Sequence, residues 1–229
     1  MIELSVVVPA EGEPDAGAAV ARIAHAVAAL GCRHEILCVT SDPSLTALPS
    51  EAVRIVAPVS AGYGAALAAG VAQASGTWVL TIDADVLDPS RVVPDLWARR
   101  READVVIGSR YVEGGLADMP WWRHAGSRLL NGVFGRGLSL GVRDMSSGVR
   151  LYRGAVLTAA GPLPAGLDAL QTVLVKVYAE GWRVIEVPFV YRADPGGASH
   201  ARAQRFATDY LRTFWRLWTA SAVSNLGDG

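Results

Sequence analysis

The chain is poor in several features that would settle its class at once. It has two cysteines, Cys32 and Cys38, with five residues between them. That spacing fits neither a Cys-x-x-Cys motif nor a disulfide framework, so both read as reduced packing residues. Neither sign of charge is in excess: 21 Lys and Arg against 22 Asp and Glu leave a net charge of -1. Bulk electrostatics thus give no reason to expect a nucleic-acid partner, and any anion site has to be local. A basic leader is missing too, since Met1-Ile2-Glu3-Leu4-Ser5 runs straight into a valine-rich stretch. No signal peptide is expected, and a cytoplasmic location is. The long charge-free run Ile55 to Ile82 is punctuated by Pro58, Gly62, Gly64, Gly70 and Gly76. It reads as a strand, a helix and a strand, not a membrane span. There is no internal repeat and no low-complexity linker.

What is present is a 229-residue chain that is 51% hydrophobic, enough for one sizeable core and one domain. Its first half alternates short β-branched runs with alanine-rich helical segments. Strands are expected at Leu4 to Val8, Glu35 to Val39, Val53 to Val56, Trp78 to Ile82 and Asp104 to Ile107, with helices about Ala16 to Leu30 and Gly64 to Ala74. Such alternation predicts an α/β fold, a mainly parallel central sheet flanked by helices. In the second half, Gly114 to Met119 reads as a mobile loop, Trp121 to Phe134 and Asp168 to Glu180 as helices, and Arg183 to Tyr191 as a strand that Pro188 places near an edge. From Arg202 to Trp218, arginines and aromatics recur at three and four residues on separate faces. This predicts an amphipathic helix that either packs on the core or rests on an anionic membrane surface.

The apolar run Trp78 to Ile82 ends in Asp83-Ala84-Asp85. Residues two apart in an extended segment point the same way, so the two carboxylates converge and need a cation or donors to neutralise them. A hard divalent ion, Mg²⁺ or Mn²⁺, bridging to substrate phosphates meets that need; ordinary loop acids or a helix cap before Asp88-Pro89 are the plainer alternative. A second cluster, Arg143-Asp144-Met145-Ser146-Ser147-Gly148-Val149-Arg150-Leu151-Tyr152, sets an acid and two arginines around a Ser-Ser-Gly turn. A third runs Val187-Pro188-Phe189-Val190-Tyr191-Arg192 into a Gly196-Gly197-Ala198-Ser199-His200 segment.

With these clusters, and with Val6 to Ala10, Glu13, Gly62 to Gly70 and Gly108-Ser109-Arg110-Tyr111, the chain resembles the family-2 glycosyltransferases of GT-A type. Within them it is similar to the dolichyl- and polyprenyl-phosphate mannosyl- and glucosyltransferases. The resemblance spans nearly the whole chain. It implies a single domain with a nucleotide-sugar-binding half over 1–113, an acceptor half over 114–200 and an amphipathic helix over 201–219. It implies a nucleotide-sugar donor held by Pro9, Ala10, Glu13, Asp42, Asp83 and Asp85, with Asp83 and Asp85 at a Mg²⁺ or Mn²⁺ ion. Arg110, Arg128 and Arg192 are implied for phosphates, with Arg123, Arg150, His200 and Arg202 as second choices. Catalysis would rest on Asp85, Arg110 and Asp144, by displacement with inversion at the anomeric carbon. A lipid phosphate acceptor is largely anionic at neutral pH and needs no general base, whereas a hydroxyl acceptor needs one, for which Asp144 occupies the family position.

The chain also differs from the family pattern. The opening strand ends in Glu11-Gly12-Glu13, the second strand runs into Val39-Thr40-Ser41-Asp42-Pro43-Ser44, Leu87 stands two residues after Asp85, and His200 takes the place of a lysine. These differences motivate a rival in which a relative with impaired catalysis serves as a binding or scaffolding subunit. A dehydrogenase is suggested by Gly62-Tyr63-Gly64 with Asp83 some 20 residues on, but Leu67 stands where a third small residue belongs and the motif follows the third strand instead of the first. A sugar-nucleotide pyrophosphorylase calls for a basic, glycine-rich first loop, and Pro9 to Asp15 is acidic. The expected partners are a nucleotide-sugar donor and a polyprenyl phosphate or similar acceptor, with peripheral membrane contact through the last helix and no nucleic acid. Donor sugar, base and oligomeric state are left open.

Overall fold

The computed structural model describes residues 1–13, 15–42, 45, 52–58, 60, 62–119, 127–128, 131–132, 141–166 and 169–192. The expected helix over Arg202 to Trp218, and Arg123, His200 and Arg202 with it, lie outside the described residues. Strand β1 (Leu4–Pro9) is followed by helix α1 (Ala16–Ala28), β2 (His34–Val39), β3 (Val53–Val56), α2 (Tyr63–Gln73), β4 (Trp78–Thr81), α3 (Pro89–Arg99) and β5 (Val105–Ser109). Then come β6 (Leu116–Asp118), β7 (Arg150–Arg153), α4 (Gly154–Ala160), α5 (Ala169–Ala179), β8 (Val184–Pro188) and β9 (Val190–Arg192). Seven strands form one sheet in the order β3-β2-β1-β4-β7-β5-β8, and β6 pairs with β9 in a separate ribbon.

All pairings in the large sheet are parallel except those of β7, which runs antiparallel to both β4 and β5. Strand β1 is buried along its whole length, as a strand with neighbours on both edges and helices on both faces must be. Its alternation assigns the faces: Leu4, Val6 and Val8 pack with α1 and α3, while Val7 packs with α2, α4 and α5. Cys38 is buried and Cys32 half-buried, both free; burial pushes the Cys38 thiol up to about 11, as befits a packing residue.

Two expectations need correction. The segment Gly114 to Met119 is not simply a loop, because Leu116–Asp118 forms β6. The single strand expected over Arg183 to Tyr191 is two: β8 ends at Pro188, and after Phe189 the chain leaves the large sheet to pair with β6. Pro188 nevertheless lies on the edge strand, where its missing N–H costs no ladder bond. The central sheet is mainly parallel as expected, with β7 the one strand in it that runs antiparallel to its neighbours.

At the pole away from the strands' carboxyl ends, Glu35 ties four elements together. Its carboxylate accepts from Ser5 Oγ at 2.7 Å, from Ser75 N and Oγ at 2.9 and 2.7 Å, and from Arg54 at 2.7 Å. Burial alone would raise this carboxyl, but the donors from Ser75, Ser5 and Arg54 outweigh it and bring it down to about 2. A depressed carboxylate stabilises the fold above its unfolded value near 4.5 and loses that contribution as pH falls through about 2. Glu35→Gln is therefore expected to cost ~2 kcal/mol at neutral pH. The gap in melting temperature between variant and wild type should narrow as the pH is lowered from 4.5 toward 2. A gap independent of pH would show that the charge of Glu35 contributes nothing.

Candidate active site

In an open parallel sheet, a ligand crevice forms where successive connections leave a strand in opposite directions. Here that place lies between β1 and β4, since β2 and β3 lie on one side of β1 and β4 on the other. The carboxyl end of β4 delivers Asp83 and Asp85 to it, with Ala84 between them buried. The Tyr63 phenol donates to Asp83 Oδ1 at 2.7 Å, and the Tyr191 phenol to Asp85 Oδ2 at 2.8 Å. Burial, and after it the Asp85 carboxylate, push the Asp83 carboxyl up to about 7, against the Tyr63 hydrogen bond and the charges of Arg110 and Arg150. Opposite Asp83 stands Gly148, where a β-carbon would overlap both Asp83 carboxylate oxygens. Only glycine leaves that carboxylate its place.

A second carboxylate is treated differently. Asp144 is fully buried and meets the Arg110 guanidinium in a two-pronged pair, Nε to Oδ2 and Nη2 to Oδ1, both at 2.7 Å, with the Arg110 backbone N–H adding a third bond at 2.9 Å. Burial alone would raise the Asp144 carboxyl, but the hydrogen bonds and charge of Arg110 outweigh it and hold the group below the usual carboxylate range. The same guanidinium reaches Ser146 Oγ at 2.7 Å and lies against the rings of Tyr111 and Tyr191. Through Tyr191 the Arg110–Asp144 pair is adjacent to Asp85.

The loop 144–148 is held from every side. Glu186 on β8 accepts the N–H groups of Arg143 and Asp144, each at 2.9 Å, and Asn131 Oδ1 accepts that of Met145 at 3.0 Å. Thr81 donates to the Gly148 carbonyl at 2.8 Å and Ser147 to that of Gly108 at 2.6 Å, fixing the loop to the ends of β4 and β5. Arg150 is wholly buried and directs its guanidinium to the carbonyls of Met145, Ser147 and Leu170. It holds the loop from beneath and is not available to a substrate phosphate.

The other sequence candidates fall into groups. Pro9 ends β1; the Ala10 N–H donates to the Val39 carbonyl at 2.9 Å, and Glu13 follows, its N–H on the Ala10 carbonyl at 3.3 Å. Asp42 is exposed beyond β2, its N–H donating to Thr40 Oγ1 at 3.1 Å. Glu11 and Ser41, two places where the chain differs from the family pattern, join each other: the Ser41 N–H donates to Glu11 Oε2 at 2.8 Å, and the Ser41 hydroxyl donates to Oε1. This clip closes the ends of β1 and β2. Arg128 is exposed, its guanidinium 6.0 Å from the Tyr111 ring centre, and Arg192 is exposed on β9. The structure thus brings Asp83, Asp85, Arg110 and Asp144 together, with Arg192 following Tyr191 at the rim. Sequence reasoning missed Tyr63, Tyr191, Asn131 and Glu186 as site residues.

The two aspartates are a hard-oxygen donor set suited to Mg²⁺ or Mn²⁺, and Gly148 leaves the Asp83 carboxylate the space it fills. Among the described residues no group of three or more Asp, Glu, His or Cys side chains gathers to hold a metal. A bound ion would take the rest of its coordination from substrate and water. No helix among the described residues is long and apolar enough to cross a membrane.

Comparison with known proteins agrees with this geometry. The chain is 29% identical over 199 residues to a dolichol-phosphate mannosyltransferase of Pyrococcus furiosus, covering 82% of this chain and 56% of that protein. It is 29% identical over 167 residues to an undecaprenyl-phosphate 4-deoxy-4-formamido-L-arabinose transferase of Edwardsiella ictaluri, covering 68% of this chain and 50% of the relative. This chain therefore spans only about half of each. Glucosyl-3-phosphoglycerate synthase from Mycobacterium tuberculosis, solved with Mn²⁺, uridine diphosphate and phosphoglyceric acid, superposes with a TM-score of 0.75 at 19% identity, over 95% of this chain and 78% of that one. That likeness establishes the GT-A-like fold. The family model described as Glycosyl transferase family 2 matches residues 5–159, and the chain belongs to that family of glycosyltransferases.

Proposed function

We propose that the protein transfers a hexose from a nucleotide diphosphate sugar to a phosphate-bearing acceptor of the polyprenyl phosphate type, with inversion. One observation carries the choice of acceptor. Both oxygens of Asp144 are occupied by a buried arginine, and a carboxylate so held is a poor base for a hydroxyl. A phosphate acceptor brings its own negative oxygen and requires no base. The relatives named for dolichol phosphate and undecaprenyl phosphate support the same choice.

In this reading the donor lies across the crevice between β1 and β4. Asp83 and Asp85 hold Mg²⁺ or Mn²⁺, which when bound offsets the charge of the diphosphate as it leaves. An acceptor phosphate oxygen attacks the anomeric carbon from the far side; the new carbon–oxygen bond forms as that to the diphosphate breaks. Arg110, whose charge is shared with Asp144, would offer the phosphates the guanidinium edge that Asp144 and Ser146 do not hold, and Arg128 and Arg192 add exposed guanidinium groups suited to phosphate oxygens. Asp144 orients Arg110 and takes no proton.

The test is a donor panel of GDP-mannose, UDP-glucose and UDP-N-acetylglucosamine, each with Mg²⁺ or Mn²⁺ and a short polyprenyl phosphate, read by mass spectrometry. The expected outcome is a glycosyl phosphate-linked lipid from one donor. Transfer to a soluble hydroxyl acceptor instead would overturn the acceptor assignment. No product and no nucleotide binding by calorimetry would favour a non-catalytic binding subunit.

A further inference from the structure

The Gly62-Tyr63-Gly64 motif has no use in the reading above, yet its backbone is tightly specified. Gly62 caps α2 at a φ of 125°, in the region that favours glycine. A β-carbon at Gly64 would overlap the backbone of Pro164, Ala165 and Gly166, and the Ala65 N–H donates to the Ala165 carbonyl at 3.1 Å. The first turn of α2 is thereby seated against the segment before α5. Its first residue, Tyr63, reaches Asp83. From the other side, pairing of β9 with β6 sets Ala117 opposite Tyr191 and delivers a second phenol to Asp85.

The two phenols differ in kind from what Asp144 receives. Among the described residues no ion pair reaches Asp83 or Asp85. A phenol orients a carboxylate through one hydrogen bond without cancelling its charge, whereas an arginine in its place would do both. The chain gives an arginine to the carboxylate that holds a loop and only phenols to the pair suited to a cation. Such orienting partners typically alter metal affinity ~10-fold or more when removed.

We infer that Tyr63 and Tyr191 are positioning residues for the carboxylate pair, each holding one oxygen of one aspartate and leaving its other oxygen for a divalent cation. This rests on the metal reading given above. It also assigns the Gly-Tyr-Gly motif a purpose other than binding a dinucleotide: its glycines seat the helix start that presents Tyr63.

The test is Mn²⁺ titration of the full chain, alone and with UDP or GDP, followed by electron paramagnetic resonance, for wild type, Tyr63→Phe and Tyr191→Phe. Each substitution removes one hydroxyl and keeps the ring. The expected result is Mn²⁺ affinity weakened ~10-fold in each variant, with circular dichroism and metal-free melting close to wild type. Wild-type binding with both variants within twofold of it would overturn the inference and leave the metal reading standing. A wild type that binds no Mn²⁺ under any condition would overturn both. Should one variant fail to fold, the other decides by the same criterion.

Discussion

Asp85→Ala is expected to lower metal-dependent glycosyl transfer by at least ~10³-fold while the melting temperature stays within a few degrees of wild type. Asp85 stands half-exposed at the crevice, and among the described residues Tyr191 is its hydrogen-bond partner. Its loss would remove one carboxylate from the proposed ion site and one phenol–carboxylate hydrogen bond from the fold, a contribution of ~1.5 kcal/mol that is partly offset by the relief of repulsion with Asp83. The two effects are therefore of very different size. Product formation under single-turnover conditions, at saturating Mn²⁺, measures the first and a thermal melt the second. Undiminished turnover would remove Asp85 from the metal site.

Arg110→Ala reverses that balance between activity and stability. Asp144 is fully buried and Arg110 nearly so, so the substitution leaves a charged carboxylate in the interior with only the Arg110 N–H and Ser146 hydroxyl still bound to it. Breaking a buried pair from one side typically costs about 3–5 kcal/mol, more than the pair itself contributes. The variant is expected to lose that much in chemical denaturation, with activity falling as well. Adding Asp144→Ala should recover part of the stability and none of the activity, because it removes the stranded charge but not the need for Arg110. A single-variant loss below ~1 kcal/mol would mean that the pair is far better hydrated than its burial indicates.

How much of this was legible in the sequence varies along the chain for physical reasons. Strands β1, β2 and β4 are covered on both faces and so read as mainly apolar runs; Asp83 and Asp85 stand out because they end one. Strand β7 was not legible. Arg150-Leu151-Tyr152-Arg153 begins and ends in charge, and nothing in a linear reading tells that the Arg150 guanidinium is satisfied by backbone carbonyls. The partners Glu186 of Asp144 and Tyr191 of Asp85 lie 42 and 106 positions away, beyond any local pattern. Glu186 falls inside the strand expected over Arg183 to Tyr191, with nothing local to assign it a role. A lone acid on a half-buried strand is a signal worth pursuing, since it has to find donors. Tyr63 stands between two glycines, a pattern that points to a backbone loop and carries no sign of its side chain's partner.

The reversed strand in the middle of the sheet also bears on how the protein is made. Among the described residues, strand β5 pairs with β7 and β8, and both are synthesised after it, the first of them starting 41 residues beyond its end. When β5 leaves the ribosome, β1 to β4 already have one another, while β5 has no neighbour to join. The nascent sheet therefore stops at β4, and an exposed strand edge waits for the later part of the chain. Cutting the chain near residue 113 would make that pause permanent. Residues 1–113 and 141–192 are thus successive in sequence but interleaved in the sheet, and neither stretch has a complete sheet of its own to inherit, exchange or evolve as an independent module.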